Sequence, residues 1–111
     1  MPFINTKVNF PLKKEDMDLL NNKYCDAITL LGKSEAHLML DFEDNRNMYF
    51  ARENGFKMAI VEIKVFGKVH GQDDMTAEVT RILSDNFGVE PNNIYVKYEE
   101  CFNWGMGGQN F

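Results

Sequence analysis

Two stretches of this chain repeat apolar residues at helical spacing, and each lies between stretches in which apolar and polar residues alternate. Ile4 to Phe10 mixes the two kinds in the manner of a partly buried strand. After Pro11, the residues Met17, Leu20, Tyr24, Ala27, Ile28 and Leu31 recur on one helical face, and Gly32 supplies the stop. Leu38, Leu40 and Phe42 then alternate with His37, Met39 and Asp41, the period-two pattern of a strand with one buried face. Residues 2–43 thus read as strand, helix, strand.

A polar interruption at Asp44-Asn45-Arg46-Asn47, a short Met48-Tyr49-Phe50 segment and a turn at Arg52-Glu53-Asn54-Gly55 separate this unit from a second one. The second begins with the apolar run from Met58 to Phe66. It continues with a helix from about Asp73, carrying Met75, Val79, Ile82, Leu83 and Phe87 on one face and ending at Gly88. It closes with Ile94, Val96 and Tyr98 alternating in a strand. Setting Gly32 on Gly88 brings Leu38, Leu40 and Phe42 over Ile94, Val96 and Tyr98. We read the chain as an α/β domain over residues 1–111, with pseudo-repeats at about 2–43 and 57–100 and a tail at 101–111.

Two such units make a four-stranded mixed sheet with both helices on one face. In the third strand Ala59, Val61, Ile63 and Val65 form the apolar row that suits the helix side. Met58, Ile60, Glu62, Lys64 and Phe66 are left for the opposite face, and Tyr95, Lys97 and Glu99 share it by the same parity. A half-apolar, half-charged face without helices is explained by packing against copies of itself, so a homo-oligomer is expected.

Composition narrows the function. The 111 residues are 44% hydrophobic and 26% charged with a formal net charge of −5, and the Lys and Arg residues are scattered. The basic patch of a nucleic-acid binder is therefore missing. No apolar run approaches a membrane span and no charged-then-apolar leader opens the chain, so a cytoplasmic protein is expected. Cys25 and Cys101 form no CxxC pattern and read as reduced packing residues, and His37 and His70 have no partner at metal-ligand spacing. No metal site is expected.

Pro2 follows the initiator methionine directly. Removal of Met1 would expose a secondary amine on a rigid ring. An α-amino group has a pKa of about 7.7 to 8.0, and burial beside another cation lowers it toward the range of a general base. The plainer reading is a proline tolerated at the first position of a strand.

Met1-Pro2, Gly32-Lys33, Met48-Tyr49-Phe50, Phe66-Gly67-Lys68, Pro91 through Tyr95-Val96, and Asn103-Trp104-Gly105 closing on Phe111 occur in one order along essentially the whole chain. In that order and spacing the chain resembles the macrophage migration inhibitory factor family of the tautomerase superfamily, in particular its microbial or parasite members. The resemblance implies a homotrimer with an active site at each subunit boundary. It also implies phenylpyruvate-like keto–enol tautomerisation of small α-keto acids, with Pro2 as acid and base and no cofactor.

By position, the resemblance makes Lys33 the substrate-carboxylate cation and Tyr95 a residue donated by the neighbouring subunit. Phe66, Trp104 and Met106 become pocket walls. Lys97 stands where animal members have an asparagine, adding a second cation near the carboxylate site. Met58-Ala59-Ile60-Val61 occupies the positions of the family's CxxC, so its thiol oxidoreductase activity is not carried over. Gly105-Met106-Gly107-Gly108 lacks the Lys and Ser/Thr of a phosphate loop and reads as a flexible tail segment.

Two other functions stay open at this point. One is a cytokine or cytokine mimic that binds a cell-surface receptor, released by a leaderless route, with a weak or vestigial site. The other is decarboxylation or hydration of a small acid on the same fold.

Overall fold

The computed structural model describes all residues from Met1 to Phe111. Strand β1 (Pro2–Val8), helix α1 (Lys14–Ala27) and strand β2 (Met39–Glu43) form the first unit. Strand β3 (Ala59–Phe66), helix α2 (Gln72–Phe87) and strand β4 (Ile94–Cys101) form the second, and a hairpin of β5 (Gly105–Met106) and β6 (Gln109–Asn110) ends the chain.

Local chemistry explains the helix limits. At the start of α1 the Asp16 carboxylate accepts the Lys13 backbone N–H at 2.8 Å, placing a negative charge at the positive end of the helix. The sequence suggests one helix as far as Gly32. Instead α1 ends at Ala27 and the chain tightens into a 3-10 turn over Ile28–Leu31 before Gly32 turns left-handed at φ 70°. Ile28 and Thr29 are both β-branched, which disfavours continued α-helix, and the Thr29 hydroxyl donates back to the Asp26 carbonyl at 2.9 Å. Gly88 ends α2 with φ 69°. Gly71 precedes α2 at φ 84°, where any Cβ would collide with the carbonyl of Leu30, so the two units meet there over a bare backbone.

The main sheet has the order β2-β1-β3-β4. Within each unit the two strands run parallel, whereas β1 and β3 join the units antiparallel. The join is bonded beyond both ends of its ladder: the Phe66 N–H donates to the Met1 carbonyl at 3.1 Å, and the Asn9 N–H to the Met58 carbonyl at 3.4 Å. Met58, expected on the helix-free face, is buried in the connection just before β3. Its amide is held by the Asn9 side chain at 2.9 Å.

Both helices cover one face. Ala59, Val61, Ile63 and Val65 are buried as their alternation predicts, together with Leu20, Tyr24 and Ile28 from the first unit and Val79, Ile82 and Leu83 from the second. Each such aliphatic side chain contributes about 1.5–3 kcal/mol by leaving water. One polar pair lies in this core: the Thr6 and Tyr24 hydroxyls are 3.0 Å apart, and burial pushes the Tyr24 phenol up to about 12. The Tyr24 ring is stacked on Phe42, with centroids 6.5 Å apart.

The opposite face carries no helix. Lys7 and Glu62 pair at 3.0 Å, and Lys97 lies between Glu62 at 3.8 Å and Glu99 at 3.3 Å. The hydrogen bond from Lys7 holds the Glu62 carboxyl below its ordinary value, against the opposing effect of burial, and the charges of Lys7, Lys97 and Lys64 add to it. Beside them the Asn5 amide donates to Asp41 at 2.9 Å and to Glu43 at 3.0 Å. No helix is long and apolar enough to cross a membrane.

Candidate active site

Pro2 occupies the first position of β1, opposite Val65 of β3, and is buried. A proline is tolerated there because the strand's first residue can spare its N–H. Its surroundings nevertheless go beyond packing. Met1, Pro2 and Phe3 form one side of a cleft of about 350 Å³, His37 and Met39 a second, and Trp104, Gly105 and Met106 a third. Most of this lining is apolar, the setting in which an amine loses its preference for the charged form.

The expected cation, Lys33, stands at the end of β3, outside the lining of the cleft. Left-handed Gly32 turns the chain so that Lys33 reaches the end of β3, where its Nζ donates to the Phe66 carbonyl at 3.3 Å. The α-amino group, borne by Met1, is held below its ordinary value first by burial and then by the Lys33 charge. The lowering is in the direction a general base near neutrality requires.

The tail closes the cleft and corrects the expectation of a flexible segment. Gly105 and Met106 pair with Asn110 and Gln109 across Gly107 and Gly108, whose φ values of 62° and 81° suit the tight turn of a two-residue hairpin. The Phe111 N–H donates to the Trp104 carbonyl at 2.8 Å, and the Phe111 ring lies edge-on to Phe66 with centroids 6.3 Å apart. Trp104 and Met106 therefore stand as walls over the start of β1, and Phe66 is tied to the same end.

Tyr95 and Lys97 are not part of this cluster. Tyr95 faces Ile60, five residues along β3 from the Val65 that pairs with Pro2, or roughly 17 Å along the strand. It is 57% exposed, with its ring 5.3 Å from that of Phe50. Lys97 lies on the helix-free face among Glu62 and Glu99.

Sequence reasoning overlooked five lining residues: Met1 itself, Phe3, His37, Met39 and Gly105. His37, which has no metal-ligand partner in the sequence, is exposed and borders the cleft. The available signal was the parallel pairing within the first unit, which sets Met39 beside Phe3 and carries the residue before Leu38 toward the chain start. Cys25 and Cys101 are both free and partly buried, and no group of three or more His, Cys, Asp or Glu side chains is placed to hold a metal ion.

A four-stranded mixed sheet built from two βαβ units, with a cleft over the first proline, is the tautomerase fold. The family model of macrophage migration inhibitory factor (MIF) matches residues 1–110, and the chain belongs to that family. Among solved structures it is similar to MIF2 of Leishmania major, with 26% identity, TM-score 0.93 and coverage of 100% of this chain and 97% of the other. It is also similar to the MIF homologue of Prochlorococcus marinus, with 25% identity, TM-score 0.85 and 98% of each chain covered. Toxoplasma gondii MIF shares the fold at 18% identity and TM-score 0.84, over 98% of this chain and 99% of the other. No curated protein matches the chain significantly.

Proposed function

We propose that this protein is a cofactor-independent keto–enol tautomerase of small α-keto acids, with the amine of Pro2 as general acid and base once Met1 has been removed. The observation that carries the reading is buried Pro2 in an apolar cleft at the start of β1, where the amine now borne by Met1 is held below its ordinary value by burial and by the Lys33 charge. The amine takes the proton α to the substrate carbonyl and returns it to the product, and Lys33 holds the substrate carboxylate near the end of β3. The developing enolate is stabilised by that cation and by hydrogen-bond donors of the site in a poorly solvated space.

We further propose that the working unit is a homotrimer in which a neighbouring subunit supplies Tyr95 and Lys97 to each cleft. Two observations support this: a charged sheet face without helices, and a largely exposed Tyr95 remote from its own Pro2. Lys97 would bring Glu62 and Glu99 of its own subunit with it, so it adds less net positive charge than a free lysine.

The test is enol-to-keto conversion of phenylpyruvate by protein whose amino terminus has been confirmed by intact mass. Saturable turnover that vanishes on blocking the amine is the expected result. Full turnover with a blocked amine would overturn the mechanism. Receptor binding without any turnover would move the protein to the cytokine-like branch of its family.

A further inference from the structure

Polar groups stand on both flanks of Pro2: His37 lines the cleft, and Lys33 lies outside its lining at the end of β3. Strand β1 lies between β3 and β2, so the end of β3 and the start of β2 flank the proline from opposite sides. On the β3 flank, Lys33 is bonded to the Phe66 carbonyl. On the β2 flank stands His37, at the end of a short 3-10 turn (Glu35–His37) that leads through Leu38 into β2. Phe3 pairs with Met39, so the residue two places before Met39 is brought level with Met1. His37 contributes the only charged or titratable side chain to a lining otherwise made of Met1, Pro2, Phe3, Met39 and the tail residues.

Resting on the tautomerase reading above, we propose that His37 is a specificity-determining residue. It selects 2-oxo acids that carry a second carboxylate at the end remote from the keto group. A substrate with its 1-carboxylate at Lys33 and its C3 over Pro2 must direct its tail toward β2. Two strand spacings separate the flanking strands, roughly 10 Å. An extended six-carbon diacid measures about 8 Å between its outer oxygens, and a hydrogen bond of roughly 2.8 Å at each end makes it long enough to reach from one flank to the other. A monoacid of equal length would bring a methyl group to the imidazole and leave the ring's N–H without a partner from the substrate.

The reading separates His37 from Met39. Both border the cleft, but Met39 offers only apolar surface, and it is the imidazole that can donate to a carboxylate. The nearest charged residue on the same turn is Glu35, which adds its charge to the burial that raises the Cys25 thiol.

The experiment compares enzyme-dependent hydrogen–deuterium exchange at C3 of 2-oxoadipate and of 2-oxohexanoate, followed by proton NMR in deuterated buffer. The wild-type protein and the variants His37→Ala, His37→Gln and Lys97→Ala are tested. The ratio of kcat/KM for diacid over monoacid should fall about tenfold in His37→Ala, the loss expected for one hydrogen bond to a charged group, and recover in part in His37→Gln, which keeps a donor. An unchanged ratio in His37→Ala, or a fall confined to Lys97→Ala, overturns the assignment.

If neither acid exchanges with the wild-type protein, turnover of phenylpyruvate decides whether the tautomerase reading itself has failed. His37 is then judged by calorimetric titration with the same two acids. A preference for the diacid that disappears in His37→Ala supports the site, whereas no preference, or one that persists, refutes it.

Discussion

The two βαβ units share a scaffold but differ in what stands at equivalent positions. Superposing Gly32 on Gly88 sets Pro2 against Met58 and Lys33 against Val89. Met58 and Val89 are buried apolar residues, 2% and 0% exposed. In the first unit the same two positions hold a proline at the base of a cleft and a lysine bonded to the end of β3. Repetition alone therefore does not make a site. The first unit differs because Pro2 opens β1 in a cleft and because the tail hairpin folds back over that end, supplying Trp104 and Met106.

The strongest way to break this comparison is to remove what distinguishes the first unit. Pro2→Gly, or protein that retains Met1, should lower phenylpyruvate turnover by about 10²- to 10⁴-fold, the usual contribution of a positioned general base. Steady-state assays on mass-verified protein check it, and a loss below tenfold would return Pro2 to a strand-opening role.

Stability should instead treat the two units alike. Leu20 in α1 and Leu83 in α2 are both fully buried in one core. Each Leu→Ala change should cost about 2–5 kcal/mol in urea unfolding at fixed protein concentration. A cost near zero in one unit would show that the halves are not equally committed to the core.

Lys33→Ala sharpens the electrostatic part. Its charge is the second cause, after burial, of the lowered α-amine. The base must be unprotonated to act, so activity falls as pH drops through its pKa. Removing the cation raises that pKa, and the acidic limb of kcat/KM should move to higher pH. KM should rise about tenfold or more with loss of the carboxylate partner. A limb that stays in place would leave burial as the whole cause.

The smallest effect belongs to Tyr24→Phe, which removes the hydroxyl paired with buried Thr6. The expected loss is about 1–3 kcal/mol, because Thr6 keeps an unpaired buried oxygen. The second unit has a wetter counterpart in Tyr98, whose hydroxyl lies 2.8 Å from that of Thr76 in a partly exposed place. Tyr98→Phe should cost less than Tyr24→Phe in the same unfolding measurement.

What the sequence revealed and what it hid divide along a physical line. Alternation in Ala59, Val61, Ile63 and Val65, helical spacing in Met75, Val79, Ile82 and Leu83, and the left-handed glycines at 32 and 88 are local signals, and all appear in the structure. The Ile28–Leu31 turn escaped notice because an α-helix and a 3-10 turn bury nearly the same residues. The hairpin at 105–110 was hidden by its glycines, which suit a disordered tail and a tight turn equally. His37 and Met39 could be found only from strand order, since nothing within residues 37–39 tells which strand lies alongside. Tyr95 and Lys97 were placed on the helix-free face by parity, and they do lie apart from the cleft of their own chain.

The hydrogen bond from the Phe66 amide to the Met1 carbonyl has a consequence for maturation. While Met1 is attached, its carbonyl occupies that amide, and the strand ladder continues one rung past Pro2. Excision of a single residue would cancel the rung and leave an amide hydrogen without its acceptor, within reach of the carbonyl that anchors Lys33. Removal of Met1 would then free two groups together, the ring amine of Pro2 and the amide hydrogen of Phe66.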